Sequence, residues 1–150
     1  MTRMARLAIV GMLLMALGVL MAARTLAGDI ASAGSPARIS VPVPATARGA
    51  GVAMLEIGIA SNHRAAGGHL GAAVRLRRDG RSVELGRISV LASGARGAQR
   101  YQFNVAPALR RLELTGGTAE VEIELIDRGG DGPLASGAAL QIGPVRIVTR

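Results

Sequence analysis

The sequence predicts an all-β fold, an antiparallel β-sandwich of about seven strands with one short helical turn. Apolar and polar residues alternate with a period of two in segments such as VAMLEIGIA and AEVEIELI, which is typical of strands with one buried face. Turn-forming residues separate these segments at fairly regular intervals, and 21 glycines supply turns and bulges. With one Phe, one Tyr and no Trp, the core must be built from Val, Ile, Leu and Ala, which favours strands.

The N-terminus predicts a membrane-directed hydrophobic helix ahead of the sandwich. Arg3 and Arg6 precede an uncharged apolar run at 7–23, whose length lies between that of a signal peptide and that of a spanning helix. We expect a signal peptide or an N-terminal membrane anchor at 1–27, a linker at 28–37 and the β-sandwich domain at 38–150. Either form places the domain outside the cytoplasm, as a periplasmic or secreted protein or one anchored to the inner membrane.

Seven segments carry the strand pattern. In chain order they are 38–45, 52–60, 72–78, 83–90, 101–105, 119–126 and 139–148. In the segment 52–60, Ala53, Leu55, Ile57 and Ile59 share one apolar face, and in the segment 119–126, Val121, Ile123 and Leu125 point inward. Parity changes at Gly86, where we expect a bulge, and the Gly143-Pro144 pair predicts a bulge or an edge break in the last segment. Pro107 opens a short helical turn that ends at the TGG of 115–117 and packs Leu109 and Leu112 inward.

The charged residues exclude some classes of function. The net charge is +8 and all 18 basic residues are Arg, but no basic patch with interleaved aromatic residues indicates nucleic-acid binding. The absence of Cys excludes disulfides, thiolate metal sites and Cys nucleophiles. Glu120, Glu122 and Glu124 share the solvent-facing side of one strand, where Arg75 and Arg77 of another strand can pair with them. No catalytic constellation is apparent, so we do not expect an enzyme or a resident cofactor.

One loop raises the alternative of a copper site. His63 and His69 lie six residues apart, and Met54 is close in sequence. Two imidazoles and a thioether form a plausible soft site for copper. The competing interpretation is that both histidines are solvated loop residues.

The second half of the chain resembles a known family. The segment YQFNVAPALRRL at 101–112 resembles part of the C-terminal β-sandwich domain of bacterial tyrosinases and related polyphenol oxidases. IDRGG at 126–130 and IGPVRIV at 142–148 resemble later parts of that domain, in the same order, and the similarity extends over 38–148. The best-matching residues are Phe103, Val105, Leu109, Arg110, Arg111, Leu112, Gly143 and Val145. Asn104 stands where the family usually has Asp, and Ala106 and Pro107 replace Thr-Asp.

This resemblance implies an accessory module without the catalytic domain. Tyrosinase chemistry requires two copper ions held by about six histidines, and this chain has only two. In that family the C-terminal domain packs over the copper domain and can shield it. The resemblance therefore implies a non-catalytic exported domain that docks on a copper oxidase, with Tyr101 as the candidate contact residue. The alternatives are a periplasmic copper-binding carrier and an envelope structural or adhesion domain.

Overall fold

Eight strands and one short helix form the described part of the chain in the computed structural model. The structure describes residues 29–49, 51–63, 70–90, 99–127, 134 and 136–150. The elements are β1 (Ile30–Ser32), β2 (Ala37–Pro42), β3 (Ala53–His63), β4 (Leu70–Arg78), β5 (Arg81–Ser89), β6 (Gln99–Asn104), α1 (Ala106–Arg111), β7 (Thr118–Asp127) and β8 (Ala139–Thr149).

The strands form two four-stranded sheets in which all pairs are antiparallel. Sheet A has the order β1-β8-β3-β6, and sheet B has the order β2-β7-β4-β5. The predicted antiparallel β-sandwich is therefore confirmed. The strand that the sequence did not indicate is β1, which lies within the linker predicted for 28–37 and pairs with β8. Its three residues, IAS, are too few to show an alternating pattern.

The core lies between the sheets and is aliphatic, as the composition predicts. Ala53, Leu55, Ile57 and Ile59 of β3 are at most 2% exposed, and Val121, Ile123 and Leu125 of β7 are also buried. The predicted inward faces of both strands are therefore confirmed. Burial of these branched aliphatic side chains supplies the main stabilising free energy of such a fold.

Both predicted bulges are present. Val74 faces Gly86 while Arg75 faces Glu84, which leaves one extra residue on β5. In sheet A, the pairing of β3 with β8 shifts on both sides of Ile59, next to Gly143 and Pro144. The second irregularity places Gly58 of β3 beside Pro144 of β8.

The helix α1 starts as predicted but is shorter. Pro107 lies in its first turn, and the Ala106 N–H donates a hydrogen bond of 3.1 Å to Oδ1 of Asn104. This contact is an Asx turn, which an Asp side chain can also form, and the N-cap residue itself is Val105, which makes no side-chain capping hydrogen bond. The helix ends at Arg111, ahead of the TGG, because the backbone turns into the left-handed region at Glu113 (φ 55°). The predicted burial of Leu109 and Leu112 is confirmed.

The predicted membrane-directed segment at 1–27 lies outside the described residues. Within the described part of the chain, no helix has the length and apolar character needed to cross a membrane.

Candidate functional site

The outer face of sheet B carries a network of paired charges. β7 presents three glutamates outward, and the neighbouring strands β2 and β4 present three arginines opposite them. We call this set the arginine–glutamate lattice: Arg38, Arg75, Arg77, Glu120, Glu122 and Glu124. With three positive and three negative charges, the lattice has a net formal charge of zero.

Glu122 lies at the centre of the lattice. It accepts hydrogen bonds from Arg38 Nε at 3.0 Å, from Arg75 Nη1 at 3.4 Å, and from Arg77 Nη1. Arg75 also donates to Glu124. The predicted cross-strand pairing of Arg75 and Arg77 with the glutamates is therefore confirmed.

The exposure of Glu122 differs from the prediction. Glu120 and Glu124 are partly exposed, as a solvent-facing side predicts, whereas Glu122 is only 7% exposed. The reason is that arginines from both neighbouring strands extend their apolar stems and guanidinium groups over it. Burial alone would raise the pKa of Glu122, but hydrogen bonds from Arg77 and Arg38 outweigh burial and hold the pKa below its ordinary value. The carboxyl is therefore ionised at neutral pH and fully engaged within the sheet.

The outer face of sheet A carries a smaller set of paired residues. Glu56 of β3 lies between Gln102 of β6 and Arg146 of β8 in the register. Its two oxygens accept hydrogen bonds from Gln102 Nε2 at 2.9 Å and from Arg146 Nε at 2.8 Å. The hydrogen bond from Arg146 holds the pKa of Glu56 below its ordinary value. This row of three residues forms one wall of a depression.

The depression is floored by Gly58, which has no side chain to fill the outer face. Its volume is about 250 Å³, and Arg100, Pro144 and the row formed by Gln102, Glu56 and Arg146 line it. A Cβ on Gly58 would lie 3.2 Å from Cδ of Pro144, so the glycine permits the close approach of β8 at the bulge. We call this feature the Gly58 depression.

Arg100 gives the Gly58 depression its charge. It lies directly opposite Gly58 on β6, is exposed, and makes no hydrogen bond or ion pair with any described residue. Arg146 already neutralises Glu56, so the lining carries one positive charge in excess. An exposed cation beside a partly apolar hollow is suited to binding an anionic group.

The three proposed copper ligands do not come together. Met54 is the second residue of β3 and His63 is the last. Eight residues of extended chain lie between them and place them roughly 30 Å apart, so one ion cannot be bound by both. The side chain of His63 and the whole of His69 lie outside the described residues. A copper site formed by the two histidines alone, without Met54, therefore stays a prediction. Across the described residues, no group of three or more His, Cys, Asp or Glu side chains is arranged to hold a metal ion.

Tyr101 is placed at an edge of the sandwich between the two sheets. Its ring is half-buried against the core, and its hydroxyl lies 2.7 Å from the carbonyl oxygen of Ser89 in β5 and 2.6 Å from Oε1 of Gln99. Burial raises the pKa of the Tyr101 hydroxyl. Phe103 packs nearby over Gly86, where a Cβ would lie 3.0 Å from the ring. The two aromatic residues thus join β6 of sheet A to β5 of sheet B, and the Tyr101 hydroxyl is already engaged within the domain.

Sequence reasoning missed the Gly58 depression. The available signal was a glycine at an outward position of VAMLEIGIA, together with the interruption at Gly143 and Pro144. Only the pairing of β3 with both β6 and β8 brings these residues and Arg100 together.

No family model matches the chain, and no curated protein matches it.

Proposed function

We propose that this chain is an exported, non-catalytic interaction domain that docks on a partner protein through the outer face of sheet A. The observation that carries the proposal is that Arg100, beside the Gly58 depression, makes no ion pair with any residue in the described ranges. The outer face of sheet B is less suited to docking, because a partner would have to compete with the internal ion pairs of the lattice.

The partner class follows from the sequence resemblance alone. A stand-alone relative of the tyrosinase C-terminal domain would dock on a type-3 copper oxidase and cover its active-site entrance. The engaged hydroxyl of Tyr101 favours a scaffold role for that residue. The proposed contact is therefore made by Arg100 and the other residues that line the Gly58 depression. Tyr101 holds β6 in place from the side of the sheet that faces the core.

Co-purification with an oxidase tests this proposal. The full chain, with its N-terminal segment, is co-expressed with the catalytic domain of a type-3 copper oxidase from the same genome, in wild-type, Arg100→Glu and Arg48→Glu forms. Arg48 is the matched control because it is exposed and makes no hydrogen bond or ion pair with a described residue. We expect a complex for the wild type and for Arg48→Glu, and a loss of about tenfold or more for Arg100→Glu, as expected when an interfacial ion pair becomes a like-charge contact.

Two outcomes contradict the proposal in different ways. If no oxidase co-purifies with the wild type, the partner class is wrong. If Arg100→Glu and Arg48→Glu bind equally well, the docking surface is not the outer face of sheet A.

A further inference from the structure

We infer that the Gly58 depression binds a single carboxylate side chain, Asp or Glu, presented by a partner protein. This inference rests on the proposed function in that it assigns the chemistry recognised by the same surface. It does not depend on the partner being an oxidase.

The size of the depression limits its occupant. At about 250 Å³ it lies below the range of about 300–1,000 Å³ that is usual for small-molecule and cofactor sites. The depression lies on the outer face of sheet A and is open to solvent. An occupant can therefore enter it directly from solution. These dimensions fit one side chain projecting from an opposing protein surface better than they fit a free organic ligand.

The lining determines the chemistry of that side chain. Gly58 and Pro144 offer an apolar floor and wall for a short methylene stem. Arg100, across from Gly58, supplies an unpaired guanidinium, whose paired N–H groups match a carboxylate in a bidentate geometry. A cationic side chain is disfavoured because both Arg100 and Arg146 line the same hollow and would repel it.

The neighbouring carboxylate does not compete for Arg100. Glu56 is held by Arg146 through Nη2 at 2.7 Å and Nε at 2.8 Å, and by Gln102 at 2.9 Å. Both oxygens of Glu56 accept hydrogen bonds from Gln102 and Arg146, so that no described carboxylate competes for Arg100 and its guanidinium can bind an external acceptor.

Peptide titration tests the inference on the full chain in detergent micelles. The probes are acetyl-Gly-Glu-Gly-amide and its neutral counterpart acetyl-Gly-Gln-Gly-amide, followed by NMR of the Gly58 amide and the arginine Nε–H groups. We expect saturable shifts at Gly58 and Arg100 with the Glu peptide and binding about tenfold weaker with the Gln peptide, since a charge-assisted hydrogen bond is roughly twice as strong as a neutral one. Raising the salt concentration should weaken binding, because the site is open to solvent.

Variants separate a specific site from general attraction to a basic protein. Arg100→Gln should abolish the response, while Arg48→Gln should leave it intact. Gly58→Ala should reduce binding without any change of charge, because the Cβ occupies the floor. The inference is overturned if the Glu peptide gives no saturable shift at Gly58, if the Gln peptide binds equally well, or if Arg48 responds as strongly as Arg100. Carboxylate binding with no oxidase complex would reject the partner class and retain this site.

Discussion

The outer faces of the two sheets use the same residue types for different purposes. On sheet B, three arginines and three glutamates neutralise one another, and the central carboxylate is removed from solvent. On sheet A, one glutamate is paired and Arg100 has no partner among the described residues and lies beside the Gly58 depression. The comparison indicates that the charge on the sheet B face is paired within the fold, whereas Arg100 on the sheet A face is exposed and pairs with no residue that the structure describes.

The difference arises from what flanks the central strand of each face. The glutamates of β7 have arginine-bearing strands on both sides, so that Arg38 and Arg75 both lie opposite Glu122. In sheet A, the row of Arg100, Gly58 and Pro144 contains no carboxylate at all. Because Gly58 has no side chain at its outward position, the face of sheet A has a depression where the face of sheet B is covered by paired side chains.

The largest expected effect comes from neutralising the central carboxylate of the lattice. Glu122→Gln keeps the size of the side chain but leaves three arginines close together without their shared counter-ion. We expect the free energy of unfolding to fall by about 2–3 kcal/mol, measured by urea denaturation of the full chain in detergent micelles. Glu56→Gln is the matched control on sheet A and should cause a clearly smaller decrease, because the Glu56 side chain is more exposed (22% against 9% for Glu122) and pairs with one arginine of the described residues in place of three. Equal decreases for the two variants would contradict the contrast between the faces.

Two glycines provide the next comparison, one pointing into the sandwich and one pointing out. At Gly86 the φ is 156° and a Cβ would lie 3.0 Å from Cε1 of Phe103, so Gly86→Ala should cost about 2 kcal/mol. At Gly58 the φ is not in the positive region and the contact is 3.2 Å with Pro144. Gly58→Ala should change stability by less than about 1 kcal/mol, since the reduced entropy of the unfolded chain offsets the contact.

Thermal unfolding of both glycine variants provides the measurement. A larger loss of thermal stability for Gly58→Ala than for Gly86→Ala would contradict this prediction. It would show that the close packing of Gly58 against Pro144 leaves no room for a Cβ. It would also remove Gly58→Ala as a clean probe of ligand binding.

Much of the fold was predictable because it depends on local pattern. The period-two alternation identified the inward faces of β3 and β7, and Gly86 and Gly143 indicated the bulges. The pairing of Arg75 with the glutamates also followed from complementary charge on strand faces. The three residues of β1 escaped prediction because their place in the sheet is determined by hydrogen bonds to β8 and not by their own pattern.

The candidate site was less predictable because it depends on strand order. Burial of Glu122 requires arginine-bearing strands on both sides of β7, and the Gly58 depression requires β3 to lie between β6 and β8. The grouping of Met54 with His63 is a different kind of error. Met54 lies near the start of a predicted strand and His63 lies beyond its end, and an extended chain of that length already separates them by roughly 30 Å.

The smallest expected effect is a pH dependence that distinguishes the lattice from the rest of the surface. Hydrogen bonds from Arg77 and Arg38 hold the pKa of Glu122 below its unfolded value despite burial. A lowered folded-state pKa contributes stability that is present above the unfolded pKa, about 4.3 for Glu, and is lost as the pH falls through the folded value. The wild type should therefore lose more stability than Glu122→Gln as the pH falls below about 5, and the difference between their free energies of unfolding should narrow in acid by a fraction of its value at neutral pH. A difference between the two proteins that stays constant from neutral pH into acid would mean that packing, and not the ionised carboxylate, accounts for the cost of the substitution.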